Sequence, residues 1–258
     1  MLLLLALAIT SPCGGEDLWP ELGNDPAEPK PIFIKTNLAT GYFPAAWRQP
    51  PASIQSTPYT GGDEIKSALY GELRKYPKEL IQRHLYEVGL FDSLVISGAS
   101  IGGTYLNKSV FLRVQDSPAS TLRAFHHELS SILLKAHFAY LDIAAWKASN
   151  PPDFRYAAEI SGDFKKQASL RPDKLFASKG FVAERSTISL ENDFNVIAQN
   201  LFYPYADFWA LADDNPMVLE KVNLAILFYS KLDPRFTAAY FRAIYVRNAE
   251  MGVYSKGE

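Results

Sequence analysis

The stretch FHHELSSILL, Phe125 to Leu134, carries the residue types and spacing that come closest to chemistry in this chain. A helix reading His-Glu-x-x-His sets two imidazoles one turn apart, where they chelate Zn²⁺ at about 2.0–2.1 Å. The glutamate beside the first histidine then serves as general base on a metal-bound water. His127 and Glu128 occupy the first two positions of that pattern, but Ser131 stands where the second histidine belongs. A serine hydroxyl is neutral and weakly donating, so the half motif alone does not make a zinc site. Three other histidines are candidates to replace the missing one. His137 lies about 15 Å further along the helix at a rise of about 1.5 Å per residue, too far to share an ion with His127. His126 points about 100° away from His127, and His84 falls in a different predicted helix and stays open. At 100° per residue Leu122, Phe125, Leu129, Ile132, Leu133, Ala136 and Tyr140 form one apolar stripe. His127 and Ser131 fall opposite it, one above the other.

Other nucleophilic schemes fit less well. Ser130 and Ser131 adjoin His126 and His127, but helical neighbours one residue apart do not face each other, and the stretch lacks a strained strand-to-helix turn. His126 and Ser130, four apart, are placed for a structural hydrogen bond. The glycine-rich SGASIGGTY matches no phosphate-binding loop.

These residues need a scaffold, and 258 residues with 48% hydrophobic and 13% aromatic content suffice for one large domain with appendages. A net charge of −2 offers no basic face for nucleic acid, so nucleic acid is not an expected partner. The opening MLLLLALAIT is apolar but shorter than the roughly 20 residues a spanning helix needs. It reads as the core of an export signal without a basic start. Cys13, the single cysteine, follows it directly and precedes a Gly-, Pro- and acid-rich run, as in a bacterial lipoprotein. The expectation is an exported, cell-envelope lipoprotein, anchored to the membrane through lipid on Cys13. The domain plan is a leader over 1–13, a Pro-rich extended tether over 14–60, and the main domain over 61–258. Within the tether, PIFIKTNLATGYFPAAW is apolar enough to pack along the domain.

Helical periodicity begins near Gly62. Ile65, Leu69 and Leu73 recur every four residues, and a second helix runs from Pro77 to a stop at Gly89. SLVISGA and SVFLRV read as two strands. A long helix from about 119 to 145 carries the His-Glu motif, and the last third is helical again. Two strands among about six helices give an α+β fold: mostly helical, with a small β-sheet and a long central motif helix.

In order and spacing, several of these stretches resemble exported bacterial zinc-binding metallopeptidases of the gluzincin, lethal-factor-like type. YPKELIQRHLYEVGLFDSLVISG resembles their helix and first strand, GGTYLNKSVFLRV their cleft strand, TLRAFHHELSSILL their zinc helix, and GFVAERSTISLENDFNVIAQNLF the segment bearing their third ligand. The resemblance spans about residues 75 to 205 and implies a zincin-like domain. By that likeness His127 is the first zinc ligand, Glu128 the catalytic base, Ser131 the altered second ligand and Asn192 the altered third. Glu191 and Asp193, flanking Asn192, are the carboxylates that could complete a metal sphere, although both also suit the first turn of a helix capped by Ser189. Tyr105 and Tyr240 are candidate oxyanion donors, and His126 belongs to the polar cluster beside His127. Two functions follow. One is an exported metallopeptidase-like hydrolase with an altered Zn²⁺ site, acting on a peptide or protein paired with the strand at Ser109 to Val114. The other is a zincin-fold envelope lipoprotein without catalysis that serves as a binding or scaffold module.

Overall fold

The structure, a computed structural model, describes residues 32–36, 38, 40–161 and 168–253. The leader, Cys13 and residues 14–31, 37 and 39 of the expected tether lie outside the described residues. The elements are β1 (Phe33–Lys35), α1 (Ala45–Arg48), β2 (Gln55–Pro58), α2 (Glu64–Leu73), α3 (Lys78–His84), β3 (Glu87–Ile96), β4 (Ala99–Ser100), β5 (Gly103–Leu106) and β6 (Ser109–Arg113). Then follow α4 (Pro118–Ala136), α5 (Ile143–Ala148), α6 (Ala157–Ser161), α7 (Lys174–Ala177), α8 (Leu190–Phe202), α9 (Phe208–Asp213), α10 (Pro216–Leu232) and α11 (Ala238–Glu250). This is an α+β fold, helical for the most part, as the periodicity indicated.

The sheet is larger than two strands. Its order is β1-β3-β6-β5, with β2 and β4 also pairing to β3. β1 and β6 run parallel to β3, while β2, β4 and β5 run antiparallel to their partners. Strand side chains alternate between faces, and here both faces are covered. Val88, Leu90, Val110 and Leu112 enter the main core with α4 and α8. Phe91, Leu94 and Phe111 enter a second core with Leu38, Phe43 and Ile54. The apolar stretch before residue 61 therefore packs on the domain, supplying two strands and the lid of the second core.

Gly89 shows why the end of one expected helix became a strand. A Cβ at this position would meet Leu38 Cδ1 at 2.7 Å and Phe111 Cδ1 at 2.9 Å. Gly89 is thus no helix stop. It sits mid-strand where the lid presses closest, α3 ends at His84, and β3 begins at Glu87. β6, expected at the cleft, lies inside the sheet between β3 and β5. The open edge belongs to β5, so a peptide could not pair with Ser109 to Val114.

α4 is the central helix and is buried almost all round. Leu122, Phe125, Leu129, Ile132 and Leu133 form the expected stripe, and His126, His127, Ser130 and Ser131 on its other sides are buried as well. It ends at Ala136, because His137 adopts φ −128°, ψ 33° and the chain turns through Phe138–Tyr140 before α5. Among the described residues no helix is long and apolar enough to cross a membrane.

Leu129 is fully buried, so Leu129→Ala should cost about 2–5 kcal/mol in urea unfolding. Leu175→Ala, at a side chain 62% exposed, should shift stability by no more than about 0.5 kcal/mol.

Candidate functional site

α4 and α8 meet along a polar seam inside an apolar core. On α8 the residues Glu191, Asn195 and Gln199 recur every four positions and form a stripe facing α4. Ser189 caps that helix as expected, its hydroxyl accepting from Asn192 N at 3.1 Å. The rows meet in register. His127 Nδ1 donates to Gln199 Oε1 across 3.0 Å, which leaves Nε2 as the lone-pair nitrogen. Ser130 Oγ lies 2.6 Å from Asn195 Oδ1 and 2.7 Å from the His127 carbonyl, and Asn195 Nδ2 donates to Ser131 Oγ at 2.6 Å. Ser131 in turn hydrogen-bonds the Glu191 carboxylate, which also accepts from the Tyr105 hydroxyl at 3.0 Å.

The charged part of the site sits at the end of this seam. Glu128 on α4 and Glu191 on α8 are close enough to feel each other's charge, and the Arg185 guanidinium acts on both. Arg185 comes from the 3-10 turn Glu184–Thr187, and its Nε donates to Asn192 Oδ1 at 2.8 Å. Burial, then the Glu191 charge, pushes Glu128 from the ordinary carboxyl range up to about 8, with Arg185 opposing the rise. Burial also raises Glu191, against the pull of Ser131, Tyr105, Lys135 and Arg185. His127 is pushed down to about 3 by burial and by the Arg185 charge, while its hydrogen bonds to Gln199 and Asn192 work the other way. Gly103 lets β5 approach: a Cβ there would meet Glu128 Cγ at 3.0 Å and Leu112 Cδ2 at 3.1 Å.

His127, Glu128, Ser131, Glu191, Asn192 and Tyr105 are thus brought together, the grouping that the resemblance implied. Asp193 is not among them. Its Oδ2 takes Lys221 Nζ at 2.8 Å, Tyr156 OH at 2.9 Å and Trp146 Nε1 at 3.1 Å, a buried ion pair on the other side of α8. His126 also leaves the site. It lies between Tyr76 OH at 2.7 Å and Glu72 Oε2 at 2.6 Å rather than bonding Ser130. Tyr240 donates to the Lys75 carbonyl and serves that same neighbouring network. Sequence reasoning missed Arg185, Asn195 and Gln199. The buried polar repeat at 191, 195 and 199 was the available signal for the last two, and Arg185 had none.

No family model matches the chain, and neither does any curated protein. Among solved structures, a Bacteroides caccae ATCC 43185 protein, named as an inferred zinc-binding metallo-peptidase, superposes with a TM-score of 0.50 at 13% identity over 85% of each chain. At that identity the likeness is one of fold, and the chain has a metallopeptidase-like fold.

The residues present do not fit a resident zinc ion. His127 offers one nitrogen, but the position a turn later is a serine already accepting from Asn195, and Asn192 is an amide engaged with Arg185 and Ser189. A guanidinium already provides positive charge to both carboxyls. Among the described residues no group of three or more His, Cys, Asp or Glu side chains could hold a metal ion. What the arrangement can do is hold or release a proton at Glu128, under the positive charge of Arg185 and beside the strand edge.

The two shifted groups act on stability with opposite signs. Glu128, raised to about 8, stabilises the fold at low pH and loses that contribution as pH rises from about 4.5 through 8. His127, lowered to about 3, contributes above about 6.5 and loses it as pH falls. Glu128→Gln should therefore flatten the decline in unfolding free energy between about pH 5 and 8. Arg185→Met should move the Glu128 titration, followed by carboxyl ¹³C NMR, to still higher pH.

Proposed function

We propose that this chain is a metallopeptidase-fold binding module that holds an extended peptide or protein segment at the edge of β5 without hydrolysing it. The observation that carries this reading is the company of Glu128: a second glutamate, an arginine and a tyrosine, next to a strand whose outer edge pairs with no other described strand. An added strand would bond to the β5 backbone, and recognition by side chains would come from the alternate positions facing Arg185, Tyr105 and the two carboxyls. The positive charge of Arg185 would attract a carbonyl or carboxylate on the incoming chain. The reading of an active hydrolase with an altered Zn²⁺ site is set aside on the donor set. His127 and Glu128 are present, but Ser131 and Asn192 supply no second strong ligand, and Asp193 is committed to Lys221.

In the same reading the module works outside the cytoplasm, in the cell envelope, held to a membrane by lipid on Cys13. The support for this is the apolar run ahead of that cysteine and the Gly- and Pro-rich chain after it.

Two experiments test the proposal. A library of unstructured peptides passed over the full chain should yield binders recovered intact, and these should slow hydrogen exchange of the amides in Gly103–Leu106. Cleavage of the bound peptides that stops in Glu128→Gln would restore the hydrolase reading and overturn this one. For anchoring, the native protein should partition with membranes and move to the soluble fraction on Cys13→Ser. Unchanged partitioning would refute the lipid anchor and leave the binding site untouched.

A further inference from the structure

Outside the α4–α8 seam, two histidines from separate helices meet near the surface. His84 is the last residue of α3 and is buried, whereas His137 caps the end of α4 and is half-buried. Their Nε2 atoms stand 3.0 Å apart, with the rings crossing at 73° and their centroids 4.8 Å apart. His137 is steadied by stacking on Tyr140, the centroids 5.2 Å apart and the planes 27° from parallel. We propose that His84 and His137 form a two-imidazole site for a divalent transition-metal ion of the copper(II) type, separate from the Glu128 cluster.

The geometry favours that class of ion. Two nitrogens about 2.0–2.1 Å from one metal stand about 2.9 Å apart when they subtend a right angle, and about 3.3 Å apart at the tetrahedral angle. The observed 3.0 Å lies near the right-angled arrangement, which square-planar copper(II) and nickel(II) prefer and zinc does not. Copper(II) also binds nitrogen sites most strongly among the divalent first-row ions. Both rings are held in the neutral form that a metal requires. Burial, followed by the charges of His137, Lys108 and Arg83, pushes His84 down to about 4, and burial with Arg83 lowers His137.

With no ion present, one Nε2–H donates to the other Nε2. Metal binding needs only that this proton move to Nδ1 of the same ring, a change of tautomer with no net proton lost. Water can fill the remaining positions, since Lys135, Ala136, Ala139 and Tyr140 around the pair are exposed. Arg83 and Lys108 act against a cation here. Lys108 is directed onto Tyr86, donating to its hydroxyl at 3.4 Å and lying 4.9 Å from its ring centre. Two protein ligands with two cations nearby make a site of modest affinity. The pairing also explains the histidines left over from the zinc motif: too far from His127 to assist it, His137 has His84 as its partner.

The test is a titration of the full chain with glycine-buffered copper(II), followed by electron paramagnetic resonance. The expected result is one equivalent of copper whose spectrum carries nitrogen coupling. His84→Gln and His137→Gln should each weaken it by at least about 10-fold, the loss that removal of even an outer partner causes. His127→Gln should leave binding unchanged, and circular dichroism should show each variant folded. Copper bound equally well by the His84→Gln/His137→Gln double variant, or absent from the unaltered chain at micromolar free copper, would overturn the proposal.

Discussion

The structure depends on the obligation to satisfy polar groups where α4 and α8 pack together. A hydroxyl, amide or imidazole taken from water into an apolar core costs about 1–3 kcal/mol if left without a partner. His127, Ser130, Ser131, Asn195 and Gln199 are all buried there, and each finds its partner on the opposite helix or within its own. The two helices therefore cannot slide past each other without breaking several bonds at once. That register is what brings Glu128, Glu191 and Arg185 to one end of the seam.

The same constraint separates fold from chemistry. This fold places the central helix α4 against the edge strand β5 and packs α8 beside it, whatever the side chains at their contact. Here that contact is filled by neutral amides and hydroxyls, and positive charge comes from a guanidinium. A fold shared at 13% identity carries no chemistry by itself, and the residues at the site have to supply it. The Asp193–Lys221 pair makes a related point. A carboxylate two positions from Glu191 faces the other way round α8, where removing either partner would leave an unpaired buried charge.

Much of this was legible in the chain. The motif helix, the Ser189 cap, the late helices and the convergence of His127, Glu128, Glu191 and Tyr105 all follow from periodicity, capping and the ordered likeness of short stretches. The failures share a cause, contacts distant in sequence. Leu85 and Val88 fit a helical period, but pairing with β6 and pressure from Leu38 on Gly89 made the segment a strand. His137 ends α4 where the apolar pattern runs on, and the chain turns there to reach α5. Asp193 and Glu191 look equivalent in sequence, and the distant partners of Asp193 (Lys221, Tyr156 and Trp146) tell them apart. Arg185 acts on Glu128 from 57 positions further along the chain, so no local pattern announces it.

The central claim is that protein groups complete the His127–Glu128 site and leave no sphere for a resident zinc. Its most direct test is the zinc content of the full chain, purified without chelator or added metal and measured by plasma mass spectrometry. Zinc should stand far below one equivalent, with the same trace amount in His127→Ala. One equivalent of zinc that disappears with His127→Ala would contradict it.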